Sequence, residues 1–79
     1  MKIYVKVFAY LRQKYPHVND LNPLELDVDE NATVEDVIKK LDFKPEEIHL
    51  ILLNGKKVSK SELLEDNCTI SLFPPIGGG

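Results

Sequence analysis

Apolar and polar residues alternate from the start of the chain, with Ile3, Val5 and Val7 set against Tyr4, Lys6 and Phe8. This period of two predicts a half-buried strand over Lys2 to Phe8. From Ala9 to Tyr15 the spacing lengthens, and Phe8, Leu11 and Tyr15 fall at i, i+3 and i+7. A short helix is expected there, ended by Pro16, because the residue before a proline avoids the right-handed helical region. His17 to Pro23 is a turn-rich loop in which His17 reads as a solvated side chain. Leu24, Leu26 and Val28 then alternate with Glu25, Asp27 and Asp29, giving a second strand with an acidic outer face.

Thr33 is placed as an N-cap, and Asp36, three residues on, is placed to reach back as the carboxylate of a capping box. Val34, Val37, Ile38 and Leu41 form one stripe of the main helix, while Glu35, Lys39 and Lys40 face water. Pro45 suits the first turn of a short helical piece. His49 to Leu53 is the most apolar run, and Asn54-Gly55 predicts a tight hairpin returning through Lys56, Lys57 and Val58, since a type I′ turn needs two positive φ angles. Ser59 and Glu62 frame a second capping box, with Leu63 and Leu64 as its apolar anchors. In the last strand Cys68, Ile70 and Leu72 share one face, leaving Thr69, Ser71 and Phe73 on the other.

The predicted fold class is α+β, a mixed sheet of four to five strands covered on one face by one main helix. If the aliphatic faces pack under that helix, Phe73 and half of the His49 to Leu53 run are left outside. An apolar patch of that kind reads as a docking surface.

A chain of 79 residues is one domain with little room for an internal active site. Its net charge of −3, with lysines scattered among acids, gives no electrostatic footprint for nucleic acid. No apolar run approaches the roughly 20 residues that span a bilayer, and the opening lacks the apolar core of a signal peptide. The expected location is cytoplasmic. The single cysteine, Cys68, points inward on the strand pattern and reads as a structural thiol. No nucleophile triad, phosphate loop or metal-ligand cluster is legible, and the pairs Glu46-Glu47 and Glu65-Asp66 lie in surface turns. No active site of the chain's own and no metal is expected.

What remains is the ending, Phe73-Pro74-Pro75-Ile76-Gly77-Gly78-Gly79. The prolines fix φ and remove two amide donors, which ends sheet pairing. The glycines are expected to form a flexible tail over residues 77–79, beyond a domain of residues 1–76. A side-chain-free tail is slim enough to thread into another enzyme's active site, and Gly79 carries the terminal carboxylate.

This ending, together with Phe8-Ala9-Tyr10-Leu11-Arg12, Ala32-Thr33-Val34 and Leu53-Asn54-Gly55, resembles the MoaD/ThiS family of ubiquitin-like sulfur carriers over nearly the whole chain. The match is best to the MoaD-like branch, the small subunit of molybdopterin synthase. The resemblance implies a β-grasp fold and a carrier cycle. A ubiquitin-activating-type adenylyltransferase, using ATP and magnesium, would adenylate Gly79, and a sulfur donor would displace AMP to leave a thiocarboxylate for molybdopterin synthesis. It further implies that Gly77 and Gly78 thread into the partner. Leu52, Phe73, Pro74, Pro75 and Ile76 would bind the activating enzyme and the large synthase subunit, with Leu52 beside Phe73. The triple glycine is also common in the ThiS branch, and carriers for tRNA thiolation, tungsten cofactors or protein tagging share the same ending. A ubiquitin-like modifier or a plain interaction module is the alternative reading.

Overall fold

A computed structural model describes residues 1–75, and in it the alternating segments form one five-stranded sheet. The strands are β1 (Lys2–Val7), β2 (Leu24–Asp27), β3 (Leu50–Leu53), β4 (Lys56–Lys57) and β5 (Thr69–Phe73), in the spatial order β2-β1-β5-β3-β4. β1 and β5 run parallel at the centre, and the three other pairings are antiparallel. One helix, α1 (Val34–Lys40), packs against one face. This is the β-grasp arrangement. Ile3, Val5 and Val7 of β1, Ile70 and Leu72 of β5, and Ile51 of β3 meet Val34, Val37, Ile38 and Leu41 in a single core. Burying each such side chain contributes about 1.5–3 kcal/mol relative to exposure. Cys68 is buried in the same core.

Each end of α1 is closed by its own sequence. At the N-terminus the Thr33 amide donates to Asp36 Oδ2 at 2.9 Å, and the Asp36 amide donates back to Thr33 Oγ1 at 3.4 Å. At the C-terminus Asp42 adopts φ 63°, which lets its amide reach Lys39 O and the Phe43 amide reach Ile38 O. These two bonds make a Schellman cap, so the helix stops after two turns.

Three expectations are corrected. Ala9 to Tyr15 is not an α-helix: Ala9–Gln13 is 3-10, with Leu11, Lys14 and Tyr15 amides each donating to a carbonyl three residues back. Only Leu11 of this segment is fully buried, too little apolar surface to hold a longer helix. β2 ends at Asp27, where a turn closed by the Ala32 amide and Asp29 O takes over. The second capping box does not form: Ser59 Oγ lies against Ser61 Oγ, and the backbone of the turn is spent on α1. Lys60 O and Glu62 O accept from the Glu35 and Val34 amides, and the Leu64 amide donates to Ala32 O. The local capping signal was overridden by the unsatisfied amides of a neighbouring helix. Leu64 is buried as an anchor while Leu63 points to solvent. The hairpin follows expectation, with Asn54 and Gly55 at φ 50° and 86°.

The Thr33 backbone amide, then its hydroxyl, and then the charge of Lys39 hold the Asp36 carboxyl below its ordinary value of 3.8. The ionised form is the bonded one, so its contribution is complete above that ordinary value and fades as pH falls through the lower folded value. Asp36→Asn is expected to flatten the acid limb of a stability–pH profile measured by urea melts, and Thr33→Ala to cost about 1 kcal/mol at neutral pH. An acid limb unaltered by Asp36→Asn would show that the box contributes nothing.

Candidate functional site

The outer face of the sheet is made by what the core leaves over. Packing of Ile70 and Leu72 inward turns Thr69, Ser71 and Phe73 outward, as Val5 and Val7 do for Lys6 and Phe8. Parallel pairing aligns Lys6 with Ser71 and Val7 with Leu72, and the Phe8 amide continues the ladder to Leu72 O at 3.2 Å. The next pair along is therefore Phe8 beside Phe73. Their rings stack with centroids 4.3 Å apart and planes 7° from parallel. Phe73 is consequently half-buried by Phe8, where the alternation alone implied an open ring.

On the other side of β5, Leu50 lies directly opposite Phe73, and the His49 amide donates to Phe73 O at 2.8 Å. Leu52 pairs with Ser71, two residue pairs along from Leu50 and Phe73, so the expected placing of Leu52 beside Phe73 is corrected. Leu52 stays on the same face, diagonal to the ring. The register is set by the Asn54-Gly55 turn and by Ile51 packing inward across from Leu72.

Beyond Phe73 the chain enters an apolar groove of about 340 Å³ lined by Ala9, Tyr10, His49, Leu50, Phe73 and the two prolines. Pro74 is buried and Pro75 exposed, so the two rings act differently: one is part of the groove's wall and the other its rim. Ala9 stands at φ 54°, a left-handed conformation that costs a non-glycine residue about 1–2 kcal/mol. This turn bends the chain immediately after Phe8 and presents only a methyl group to the groove. Arg12, on the 3-10 turn that follows, lies over the Phe8 ring with its guanidinium carbon 5.5 Å from the centroid, and its Nε donates to Val7 O at 3.1 Å.

The structure thus brings Phe73, Pro74 and Pro75 together and places Leu52 two residue pairs along the sheet. Ile76, Gly77, Gly78 and Gly79 lie outside the described residues. Ala9 and Tyr10 were not anticipated as part of the site, and of the His49 to Leu53 run, expected to be half exposed, only Leu52 was named as a contact. Leu50 could have been found by continuing the alternation outward from the hairpin, whereas nothing in an alanine signals positive φ. Among the described residues no group of three or more His, Cys, Asp or Glu side chains is placed to hold a metal ion, and no helix is long and apolar enough to cross a membrane. The face can bind an apolar partner surface at the root of the tail.

Comparison with known proteins agrees with this geometry. The model of the ThiS family matches residues 5–79. Molybdopterin converting factor subunit 1 of Pyrococcus furiosus shares 32% identity at TM-score 0.74, over 96% of this chain and 99% of its own. Small archaeal modifier protein 1 of Methanosarcina acetivorans shares 27% identity at TM-score 0.69, over 99% of this chain and 96% of its own. A chain in the complex of subunits 1 and 2 of molybdopterin converting factor from Helicobacter pylori has the same fold, with 20% identity, TM-score 0.63 and full coverage of both chains. A search of curated proteins found no match.

A double-mutant cycle of Phe8→Ala and Phe73→Ala, followed by urea unfolding, is expected to return a coupling of about 1 kcal/mol, typical of stacked rings beyond their burial. Additive losses would show that the stack is mere proximity.

Proposed function

The chain belongs to the ThiS family, and on that premise we propose that it is a sulfur carrier whose Gly79 carboxylate is converted to a thiocarboxylate, delivered in molybdopterin synthesis. The observation that carries the reading is the family match, which runs through the glycine ending to residue 79. The choice of pathway is supported by the 32% identity to molybdopterin converting factor subunit 1 over nearly both chains.

The chemistry explains why such a carrier needs a partner. An α-carboxyl has a pKa of about 3.5 and is an anion at neutral pH, hence a poor electrophile. An adenylating enzyme using ATP and magnesium joins AMP to the carboxylate and releases pyrophosphate. A sulfur donor then attacks the acyl carbon and AMP departs, leaving sulfur in place of one oxygen. The chain's own residues supply recognition: Phe8, Phe73 and Leu50 and the groove beside them dock the partner while the glycines enter its site. The assembly of subunits 1 and 2 in the Helicobacter pylori protein supports a large synthase subunit as the second partner.

A second reading is favoured by the likeness to small archaeal modifier protein 1, and takes the activated Gly79 onto lysine amines of other proteins. Incubation with ATP, a sulfur donor and the cognate adenylating enzyme separates the two. The carrier reading expects pyrophosphate release and a mass gain of sulfur for oxygen; lysine adducts carrying this tail, without that gain, would favour the modifier. Deleting Gly78-Gly79 is expected to abolish both products while leaving the melting temperature unchanged. Retained sulfur loading by the truncated chain would overturn the assignment of Gly79.

A further inference from the structure

Beside the apolar site stands a cation to which the carrier cycle gives no task. Arg12 is exposed, yet its side chain is held at two points, by the Nε bond to Val7 O and by the Phe8 ring beneath it. Those contacts use one nitrogen and one face. Both terminal amines, with four N–H donors between them, are left over. The ion pairs among the described residues are all made by lysines: Lys2 with Glu25, Lys6 with Asp20, Lys14 with Asp42 and Lys39 with Glu35. In a chain with 13 acids and 10 lysines and arginines, a constrained arginine that has taken none of those acids is available for an outside one.

Its position gives that availability a direction. Arg12 touches Phe8, Phe8 stacks on Phe73, and Phe73 lines the groove, so cation, ring pair and groove are continuous. Glu25 and Asp27 of β2 pair with Tyr4 and Lys2, at the far end of β1 from Phe8, and Asp20 is engaged by Lys6. Lys57, opposite Leu52, adds a positive charge on the far side of the patch. The apolar centre is therefore flanked by cations although the chain as a whole is acidic. A polyanion would meet net repulsion from that overall charge, whereas one carboxylate at the edge of a protein interface would meet the arginine alone.

We infer that Arg12 is a specificity-determining residue of the docking face. A partner protein that seats an aliphatic or aromatic side chain in the groove places an Asp or Glu carboxylate against the free amines of the Arg12 guanidinium. The fork geometry suits two parallel N–H to oxygen bonds, which a lysine cannot reproduce. The existing tethers remove much of the side-chain entropy that such a contact ordinarily costs. This assignment rests on the sulfur-carrier reading, since its partner is the adenylating enzyme.

Pyrophosphate exchange by the cognate adenylating enzyme, with carrier concentration varied, tests it. Arg12→Lys is expected to raise KM for the carrier about tenfold, and Arg12→Glu about a hundredfold or more, with kcat held within about twofold. Added salt should raise KM for the parent chain more steeply than for Arg12→Gln, because the contact lies at an exposed edge. Thermal melts of each variant report any loss of fold from the Val7 and Phe8 contacts, and Arg12→Lys and Arg12→Gln keep the test open should Arg12→Glu melt early. Folded variants with the parent KM and the parent salt dependence would overturn the assignment while leaving the carrier reading intact. A parent chain that supports no exchange would overturn the carrier reading, and this assignment with it.

Discussion

The parallel pairing of the first strand with the last is the interaction on which the rest depends. Antiparallel neighbours can be joined by two residues, as β3 and β4 are, but a parallel pair needs a crossover. Here the crossover is everything between Phe8 and Cys68: the 3-10 turn, β2, α1, the hairpin and the segment that caps the helix. Once β1 and β5 are zipped from Tyr4-Thr69 to Val7-Leu72, the strands at either side have edges to join and α1 has a surface to cover. The same pairing determines the site, because it carries Phe8 and Phe73 to one end of the sheet's centre and releases the chain there through Pro74.

Alternation then divides the work between the two faces. Inward positions of the central strands are closed completely, from Ile3 through Leu72, and no polar or charged side chain is buried among the described residues. Outward positions carry a mixture that stability alone does not ask for: two stacked aromatics, Leu50 and Leu52, beside Thr69, Ser71 and Lys6. Stacking limits the exposure of the aromatic pair without removing it. The left-handed Ala9 belongs to the same balance, a local cost at the point where the chain must turn sharply to leave the groove open. Strain of this kind persists because Leu11, anchored in the core two residues later, holds the turn in place.

Where a signal is local and its consequence is local, the amino-acid sequence was enough. Asn54-Gly55 made its turn, Thr33 and Asp36 made their box, and Cys68, Ile70 and Leu72 faced the core. Ser59 and Glu62 carried an equally good local signal and made no box, because the amides of Val34 and Glu35 needed the carbonyls of Lys60 and Glu62. That competition is tertiary and invisible in a window of six residues. Register was invisible for a related reason. The pattern of β3 says which residues share a face, but the pairing of Phe73 with Leu50, and not with Leu52, follows from where Ile51 and Leu72 meet in the core. Outward-facing Phe73 was legible from alternation, while the ring that half covers it comes from 65 residues earlier in the chain.

A division of labour between ending and face follows from the chemistry of glycine. Glycines present main chain and nothing else, so a tail of them fits many narrow channels and identifies none. Proteins that share such an ending but serve different acceptors must therefore be told apart by surfaces elsewhere. In this chain the surface nearest to the ending is the groove at Phe73, and its composition is specific: an aromatic stack, a leucine, two proline rings and one tethered guanidinium. Apolar contact supplies affinity there but discriminates weakly, because a groove accepts many aliphatic shapes for similar energies. A charge at its border discriminates strongly, because the wrong partner leaves it facing a like charge or an apolar wall. On the proposed function, choice of partner would thus reside at the border of the apolar patch, and the glycine ending could stay featureless.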